Sequence, residues 1–260
     1  MAKLVAGYSS DEEDCYFSPI PSSYEDLFLR GSLPIDTNIV LICNGKVTDV
    51  IRNYLISALR LEKCCSVLGS SSERIFSSVW KCSESTGISV ALLSIEEHLP
   101  EILIPSLIKS LAQLFHSSTL VLLGGIPLIS LPAVDSTAAP GGKILTLQSS
   151  SFSRLVTGLT PRQINELGIG NVVSGIIAGI FCYAEAHSIA AIGCLTVCPH
   201  SSSITIESAR ALENALPLIN NICGLDEGSL SNDVELLSIE MYRNLQKRDG
   251  YVIRTSNLYV

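Results

Sequence analysis

The stretch Asn38-Ile39-Val40-Leu41-Ile42-Cys43, followed by Asn44-Gly45, decides the fold class of this chain. A run of consecutive apolar residues is typical of a strand that is buried on both faces, and Asn-Gly is a pair that ends strands. From Val47 to Lys63 the apolar residues then recur at the spacing of an amphipathic helix. A buried strand followed directly by a helix is the repeating unit of an α/β domain.

The same alternation continues along the rest of the chain. Apolar runs predict strands over residues 88–95, 119–123, 143–148 and 189–197, and helical patterns cover residues 100–116, 171–187, 205–223 and 233–247. A further helix is predicted to begin at Thr160-Pro161, because proline suits the first helical position. Strands that are apolar throughout require helices on both faces of the sheet. The sequence therefore predicts a three-layer α/β/α domain over residues 37–247, with a largely buried sheet.

Two internal segments are harder to assign from the pattern. Residues 64–85 are ambiguous, with one or two short strands expected around residues 65–68 and 78–80. Residues 126–142 are predicted to form a loop, because Pro127, Pro132 and Pro140 exclude a helix there.

Both ends of the chain differ in composition from the domain. Residues 1–36 are rich in Ser, Pro, Asp and Glu, which predicts a mostly disordered arm that docks at most locally. Its Ser9-Ser10-Asp11-Glu12-Glu13 run suits an acidophilic kinase, and a solvated acidic tail is the simpler interpretation. Residues 248–260 form a polar lead that ends in Leu258-Tyr259-Val260, which predicts a flexible tail.

Composition and charge restrict the classes of partner. The net charge is −8 and the few Lys and Arg residues are scattered, which excludes a surface that follows nucleic acid phosphates or an anionic membrane. The longest apolar stretch, residues 172–183, is too short to cross a bilayer. Nine cysteines without a framework spacing are typical of reduced thiols, so we expect a cytoplasmic protein, with the nucleus as a second location.

No catalytic motif stands out in the sequence. Gly168-Ile169-Gly170-Asn171 lacks the spacing and the preceding strand of a nucleotide loop, so Gly168 and Gly170 are expected to shape a turn. Gly175 and Gly179 are expected to let a helix approach the sheet closely. No Gly-x-Ser-x-Gly elbow occurs. We therefore expect no enzymatic activity and no cofactor.

Two further candidate sites, one for a metal ion and one for catalysis, lie at predicted strand ends. Cys194, Cys198 and His200 have a spacing that allows metal binding if their strand ends in a loop, whereas core thiols are the simpler alternative. The rival function is a phosphorylase-like or hydrolase-like α/β enzyme. Its best candidate site combines His200 and Cys198 with Gly124-Gly125 at strand ends.

The last three residues have a chemistry of their own. Leu258 is an aliphatic plug, Tyr259 adds a ring with few rotatable bonds, and Val260 carries the terminal carboxylate. Such groups suit a partner's pocket, since the ring supplies buried area and the carboxylate accepts a charge-assisted hydrogen bond. The alternative is an ordinary frayed tail.

Taken together, the tail and the late domain resemble the proteasome assembly chaperone family. The resemblance lies in Asn171-Val172-Val173, Ala178, Tyr183, residues 189–195 and 204–209, and in the ending Ser256-Asn257-Leu258-Tyr259-Val260. It extends loosely over residues 37–260 and closely over residues 171–215 and 256–260 only. Residues 64–86 and 127–158 depart from the family.

The resemblance implies a function without catalysis. It implies a heterodimer with assembly chaperone 2 that binds the α-subunit ring of the proteasome core particle during assembly. Leu258, Tyr259 and the Val260 carboxylate would then enter a pocket between α subunits, where the carboxylate meets a lysine. The implied partners are proteins only, with no cofactor, nucleic acid or membrane.

Overall fold

A computed structural model describes residues 26–34, 36–70, 74–82, 88–96, 99–116, 118–127, 144–155, 164–167, 171–198 and 211–224. Within these ranges the strands are β1 Leu27–Gly31, β2 Ile39–Asn44, β3 Leu61–Gly69, β4 Ile75–Cys82, β5 Val90–Ile95, β6 Thr119–Pro127, β7 Ile144–Gln148, β8 Ile164–Glu166 and β9 Ala191–Cys198. The described helices are α1 Asp49–Ala58, α2 Ile104–Phe115, α3 Ser150–Leu155, α4 Gly175–Ala186 and α5 Leu216–Ile222. Short 3-10 turns at Lys46–Thr48, Glu101–Leu103 and Leu212–Ala215 lead into α1, α2 and α5.

The nine described strands form one mixed sheet in the order β1-β3-β4-β5-β2-β6-β9-β7-β8. Its centre is parallel, because β2 pairs in parallel with both β5 and β6, and β6 pairs in parallel with β9. Antiparallel pairs flank this centre: β1, β3 and β4 extend it beyond β5, and β7 extends it beyond β9. The carboxyl ends of four parallel strands therefore lie at one edge of the sheet.

Both faces of the sheet are covered by helices. Along β2, Ile39, Leu41 and Cys43 contribute to a core with α1 and α5, whereas Val40 and Ile42 contribute to a second core with α2 and α4. These β2 side chains are all less than 5% exposed, as expected for a strand that is apolar at every position. The predicted three-layer α/β/α architecture with a largely buried sheet is confirmed.

The start of the domain differs from the sequence-based expectation. Leu27–Gly31, predicted to lie in a disordered arm, forms edge strand β1 and pairs antiparallel with β3 from Leu27↔Gly69 to Gly31↔Cys65. The interpretation of residues 1–36 as an arm is therefore wrong for this strand. Burial explains the difference, because Leu27 packs against the core beneath α2.

The first helix is shorter than predicted. Helix α1 ends at Ala58, and the segment Leu61–Lys63, predicted to be helical, begins strand β3. Arg60 has a φ of 49°, a left-handed conformation that stops a helix, and Leu61 continues into the core beneath α1. The helical spacing of apolar residues thus extends by chance into a strand.

Two short elements appear where the sequence predicted others. Ser150–Leu155, for which the sequence pattern predicted no helix, forms α3, whose amino end is bound by the Ser149 hydroxyl and the Glu185 carboxylate. Ile164–Glu166, predicted to lie in a helix beginning at Thr160, forms β8 and pairs in parallel with β7. Contacts with other parts of the fold determine the secondary structure of both segments, and local composition does not.

Several predictions fall on residues outside the described ranges. These include the helix over residues 233–247, the tail over residues 248–260 and most of the arm and of the loop over residues 126–142. The described part of that loop, Ile126-Pro127, continues β6. Within the described ranges, no helix has the length and apolar character needed to span a bilayer.

Candidate functional site

The structure leaves the principal predicted site outside the residues it describes. Leu258, Tyr259 and Val260 lie beyond Gly224, where the last described range ends, and the acidic serine run and His200 also fall outside. Of the rival enzyme site, the described residues include Cys198 and Gly124-Gly125.

The carboxyl ends of the parallel strands are where ligands bind in many open α/β sheets. Gly124 and Gly125, expected to form a turn here, lie inside strand β6. A Cβ atom built on Gly124 would come within 2.8 Å of Ile177 Cδ1, and one built on Gly125 would come within 2.7 Å of Cys198 Sγ. The space beside both glycines is thus occupied by neighbouring side chains, and the two glycines serve close packing.

The polar groups that follow β2 bind one another. Asp49 and Arg52 form an ion pair of 2.9 Å in the first turns of α1, and Arg52 Nη1 donates to Ser94 Oγ at 3.2 Å. Thr48 Oγ1 donates to the Gly45 carbonyl at 2.7 Å and closes the turn in which Gly45 has a φ of 73°. This arrangement anchors α1 to β5 and explains the polar residues at this edge without a ligand.

The cysteines at this edge are core thiols. Cys194 and Cys198 lie on one continuous strand, so their Cα atoms are separated by four residues, or about 13 Å. Zinc binds thiolates at about 2.3 Å, so the two cannot share an ion. Burial raises the pKa of Cys194 to about 12, which keeps the thiol protonated. None of the eight cysteines in the described ranges forms a disulfide, and those ranges hold no cluster of metal-ligand residues.

The glycines of α4 differ in their roles. A Cβ atom on Gly179 would lie 2.8 Å from Ile104 Cγ2 and 3.0 Å from Ile108 Cδ1, so Gly179 permits close packing of α4 against α2. The predicted close approach is present, and its partner is a helix rather than the sheet. Gly175 has a φ of 66° with open space around it, so its conformation is what requires glycine.

An apolar surface lies on the antiparallel side of the sheet. Phe28 of β1 is 42% exposed and lies opposite Leu68 of β3, which lies opposite Ile75 of β4, itself 41% exposed. Leu29 is also exposed but points to the opposite face of β1, and β1 is one edge of the sheet. Exposed apolar side chains on an edge strand are a typical place for association with another chain. Sequence reasoning missed it, although the run Leu27-Phe28-Leu29 before Gly31 was a strand signal.

Comparisons with solved structures connect this fold to known proteins. No protein-family model matches the sequence, and no curated protein matches it. The archaeal proteasome activator PbaB of Pyrococcus furiosus aligns over 86% of this chain and 99% of its own, with a TM-score of 0.58 and 11% identity. PbaA of the same organism, an archaeal homologue of proteasome-assembly chaperone, aligns over 85% and 96%, with a TM-score of 0.55 and 14% identity.

An enzyme is also among the similar structures. The 5′-methylthioadenosine nucleosidase of Arabidopsis thaliana aligns over 73% of this chain and 98% of its own. Its TM-score of 0.39 and identity of 9% are too low to support an argument about activity. The fold of this chain is thus similar to that of an archaeal proteasome activator and of a proteasome-assembly chaperone homologue.

Proposed function

We propose that this chain is a subunit of a proteasome assembly chaperone, a protein without catalytic activity. It forms a heterodimer with assembly chaperone 2, binds the α-subunit ring of the core particle and inserts Leu258-Tyr259-Val260 into a pocket between α subunits. It acts in the cytoplasm, with the nucleus as a second location. The observation that carries the proposal is the shared fold with PbaA over 96% of that protein, in a chain that ends in hydrophobic–Tyr–X.

The chemistry of the tail supports its proposed insertion into a pocket between α subunits. The ten residues before Leu258 are mostly polar, so the tail has little reason to pack on its own domain. Inside a pocket, the terminal carboxylate contributes about 1.5–3 kcal/mol through a charge-assisted hydrogen bond. A buried tyrosine ring contributes a similar amount, about 1.5–3 kcal/mol. Together these terms are large enough to govern the affinity for the ring.

The packing at the carboxyl ends of the parallel strands supports the proposed absence of catalytic activity. An enzyme with this architecture needs convergent polar groups around an open cleft. In the described residues, Ile177 and Cys198 fill the space beside Gly124-Gly125, and Arg52 is engaged by Asp49 and Ser94. No described feature favours an enzyme as a second function.

The proposal is tested by capture of proteasome α subunits with tail variants. Deletion of residues 258–260 should weaken capture well over tenfold, since both energetic terms are lost. The melting temperature of the domain should stay unchanged. Two further variants separate the contribution of the ring from that of the carboxylate. Tyr259→Ala removes the ring and keeps the carboxylate, whereas one alanine appended after Val260 keeps every side chain and displaces the carboxylate. Undiminished capture by the deletion variant would refute the role of the tail.

The heterodimer is tested separately, because it does not require the tail. Co-expression with assembly chaperone 2 should give a one-to-one complex in size-exclusion chromatography with light scattering. The deletion variant should form the same complex. A soluble, stable monomer that does not bind assembly chaperone 2 would refute the proposed heterodimer.

A further inference from the structure

Strand β1 is an edge of the described sheet, and no described strand pairs with its outer side. The Ser70 amide donates to the Asp26 carbonyl at 2.8 Å, so Asp26 extends the pairing with β3 by one residue. The Gly69 amide points the other way, to the carbonyl of the residue before β4, at 3.0 Å. Hydrogen-bonded and non-hydrogen-bonded pairs alternate in an antiparallel ladder. Leu27, which lies opposite Gly69, and Leu29 therefore direct their amides and carbonyls outward, away from β3.

Most side chains of β1 are exposed, and they combine apolar with charged groups. Phe28 is 42% exposed and Leu29 is 38% exposed. Asp26 and Arg30 are exposed as well, and each lies two residues from Phe28, so these three side chains share one face of the strand. The edge thus carries a carboxylate, a ring and a guanidinium in a row, with a spacing of about 7 Å.

This row is complementary to itself when it is reversed. If two copies pair antiparallel through their β1 edges with Phe28 on the twofold axis, Leu27 of one copy lies opposite Leu29 of the other. These pairs then exchange the outward hydrogen bonds. Asp26 of each copy lies opposite Arg30 of the other, which gives two opposite-charge pairs on either side of the two rings. Opposite-charge pairs and aromatic pairs across strands both stabilise a sheet.

The conformation of Gly31 disfavours the neighbouring register, in which Leu29 lies on the axis. That register requires Gly31 to pair, but its φ of 105° lies outside the extended conformation. It also moves Arg30 away from the carboxylate of Asp26. Backbone geometry and charge therefore favour the same register, the one centred on Phe28.

The same pairing joins two apolar surfaces. On the face of Phe28, Leu68 of β3 lies opposite the ring, and Ile75 of β4, which is 41% exposed, lies opposite Leu68. Phe28 of a second copy would continue this row and cover part of the exposed ring. We propose that the β1 edge binds a second copy of this chain antiparallel, which gives an isologous dimer with Phe28 on its twofold axis. The contact needs neither the tail nor assembly chaperone 2, so its test is independent of the proposed function.

Charge reversal tests the register by sedimentation velocity on the full chain over a range of concentrations at low salt. Asp26→Arg turns both opposite-charge pairs into like-charge pairs, and so does Arg30→Asp. Each variant should raise the dimer dissociation constant at least about tenfold. The double variant Asp26→Arg with Arg30→Asp restores both pairs in reverse, so it should return to within about threefold of the parent. Glu62→Arg is the matched control, because it makes the same charge change at an exposed position of β3 beyond the part that pairs with β1. It should leave the dissociation constant nearly unchanged.

A proline variant tests the backbone contact separately. Leu29→Pro removes an outward amide and keeps the pairing with β3, since an edge strand tolerates proline where its N–H faces away from the sheet. It should abolish the dimer and leave the melting temperature nearly unchanged, whereas Leu29→Ala, which keeps the amide, should weaken the dimer less.

Several results would overturn the proposal. These are a monomeric parent chain, single charge variants or a Leu29→Pro variant that associate like the parent, and a double charge variant that stays as weak as the single ones. Charge variants that lose binding to assembly chaperone 2 while self-association is unchanged would also overturn it, because the edge would then bind the other chaperone.

Discussion

The buried hydroxyl of Ser149 connects three elements of the domain through hydrogen bonds, and its removal tests how much these bonds stabilise the domain. Its side chain is 1% exposed. The hydroxyl donates to the Ile189 carbonyl at 2.9 Å and accepts from the Ala191 amide at 2.8 Å and the Phe152 amide at 3.2 Å. One hydroxyl thus connects the end of β7, the start of β9 and the first turn of α3.

The variant Ser149→Ala leaves these partners without the hydroxyl. The Ile189 carbonyl and the Ala191 amide are buried, and an unsatisfied buried group costs about 1–3 kcal/mol. The Phe152 amide also bonds to the Ser149 carbonyl at 3.0 Å, so the loss of that cap should add little. We expect the free energy of unfolding to fall by about 2–4 kcal/mol, a large share of the roughly 5–15 kcal/mol that holds a typical domain together.

Urea unfolding measures this change, followed by far-UV circular dichroism and by the fluorescence of Trp80, the single tryptophan. With a slope of about 2–3 kcal/mol per molar urea, the midpoint should fall by about 1 M or more. Ser110→Ala is the matched control, because Ser110 is only partly buried and its hydroxyl donates a solvent-exposed hydrogen bond to the Ser106 carbonyl one turn earlier in α2. That variant should stay within about 0.5 kcal/mol of the parent. Equal behaviour of the two variants would contradict the role assigned to Ser149.

Two further expectations concern the core thiols and the apolar surface. Burial raises the pKa of Cys43, Cys194 and Cys223 to about 12 each, whereas an unfolded thiol ionises near pH 8.5. Above pH 9 the unfolded state therefore binds fewer protons than the folded state. The free energy of unfolding should decrease from about pH 9 towards pH 12 by up to about 1.4 kcal/mol per pH unit for each thiol. A urea midpoint that does not change over this pH range would contradict the prediction. For the apolar surface, the double variant Phe28→Ser with Ile75→Ser should reduce self-association of the chain expressed alone in light scattering. The control pair Ile102→Ser with Val172→Ser, which is more exposed, should change it little; equal effects of the two pairs would show that the surface is not special.

The central part of the fold follows from the sequence because its physical signal is local. Strands β2, β5 and β6 are apolar at nearly every position, and only a sheet covered on both faces buries such runs. Helix α2 carries a clear amphipathic pattern, and its amino end has a proline where proline is tolerated. These elements were placed correctly to within a few residues.

The edges of the sheet could not be predicted in the same way. Strand β8 has three residues and exists because β7 lies beside it, and α3 forms where Ser149 and Glu185 bind its first amides. Strand β7 is distant in sequence from β8, and Glu185 is distant from α3, so no local pattern signals these two contacts. The end of α1 depends on Arg60 in a left-handed conformation, which glycine usually adopts at this place. Elements that depend on distant contacts carry little local signal.

The candidate sites show the same difference between local sequence signals and distant contacts. The tail site, Leu258-Tyr259-Val260, is a prediction from composition alone, because its candidate groups are neighbours in the sequence and need no tertiary contact to bring them together. The apolar surface of Phe28, Leu68 and Ile75 was not predicted, because these residues come from three strands and share no sequence spacing. A site assembled by topology becomes visible only when the strands are in order.

The fold by itself does not decide between a chaperone and an enzyme, since one architecture carries many functions. The packing of the described strand-end residues bears on the enzyme alternative. Ile177 and Cys198 occupy the space that a side chain at Gly124 or Gly125 would need, so the described residues leave no open cleft beside these two glycines. Deletion of residues 258–260 tests the proposed role of the tail: loss of α-subunit capture with an unchanged melting temperature of the domain would support that role, and undiminished capture would refute it.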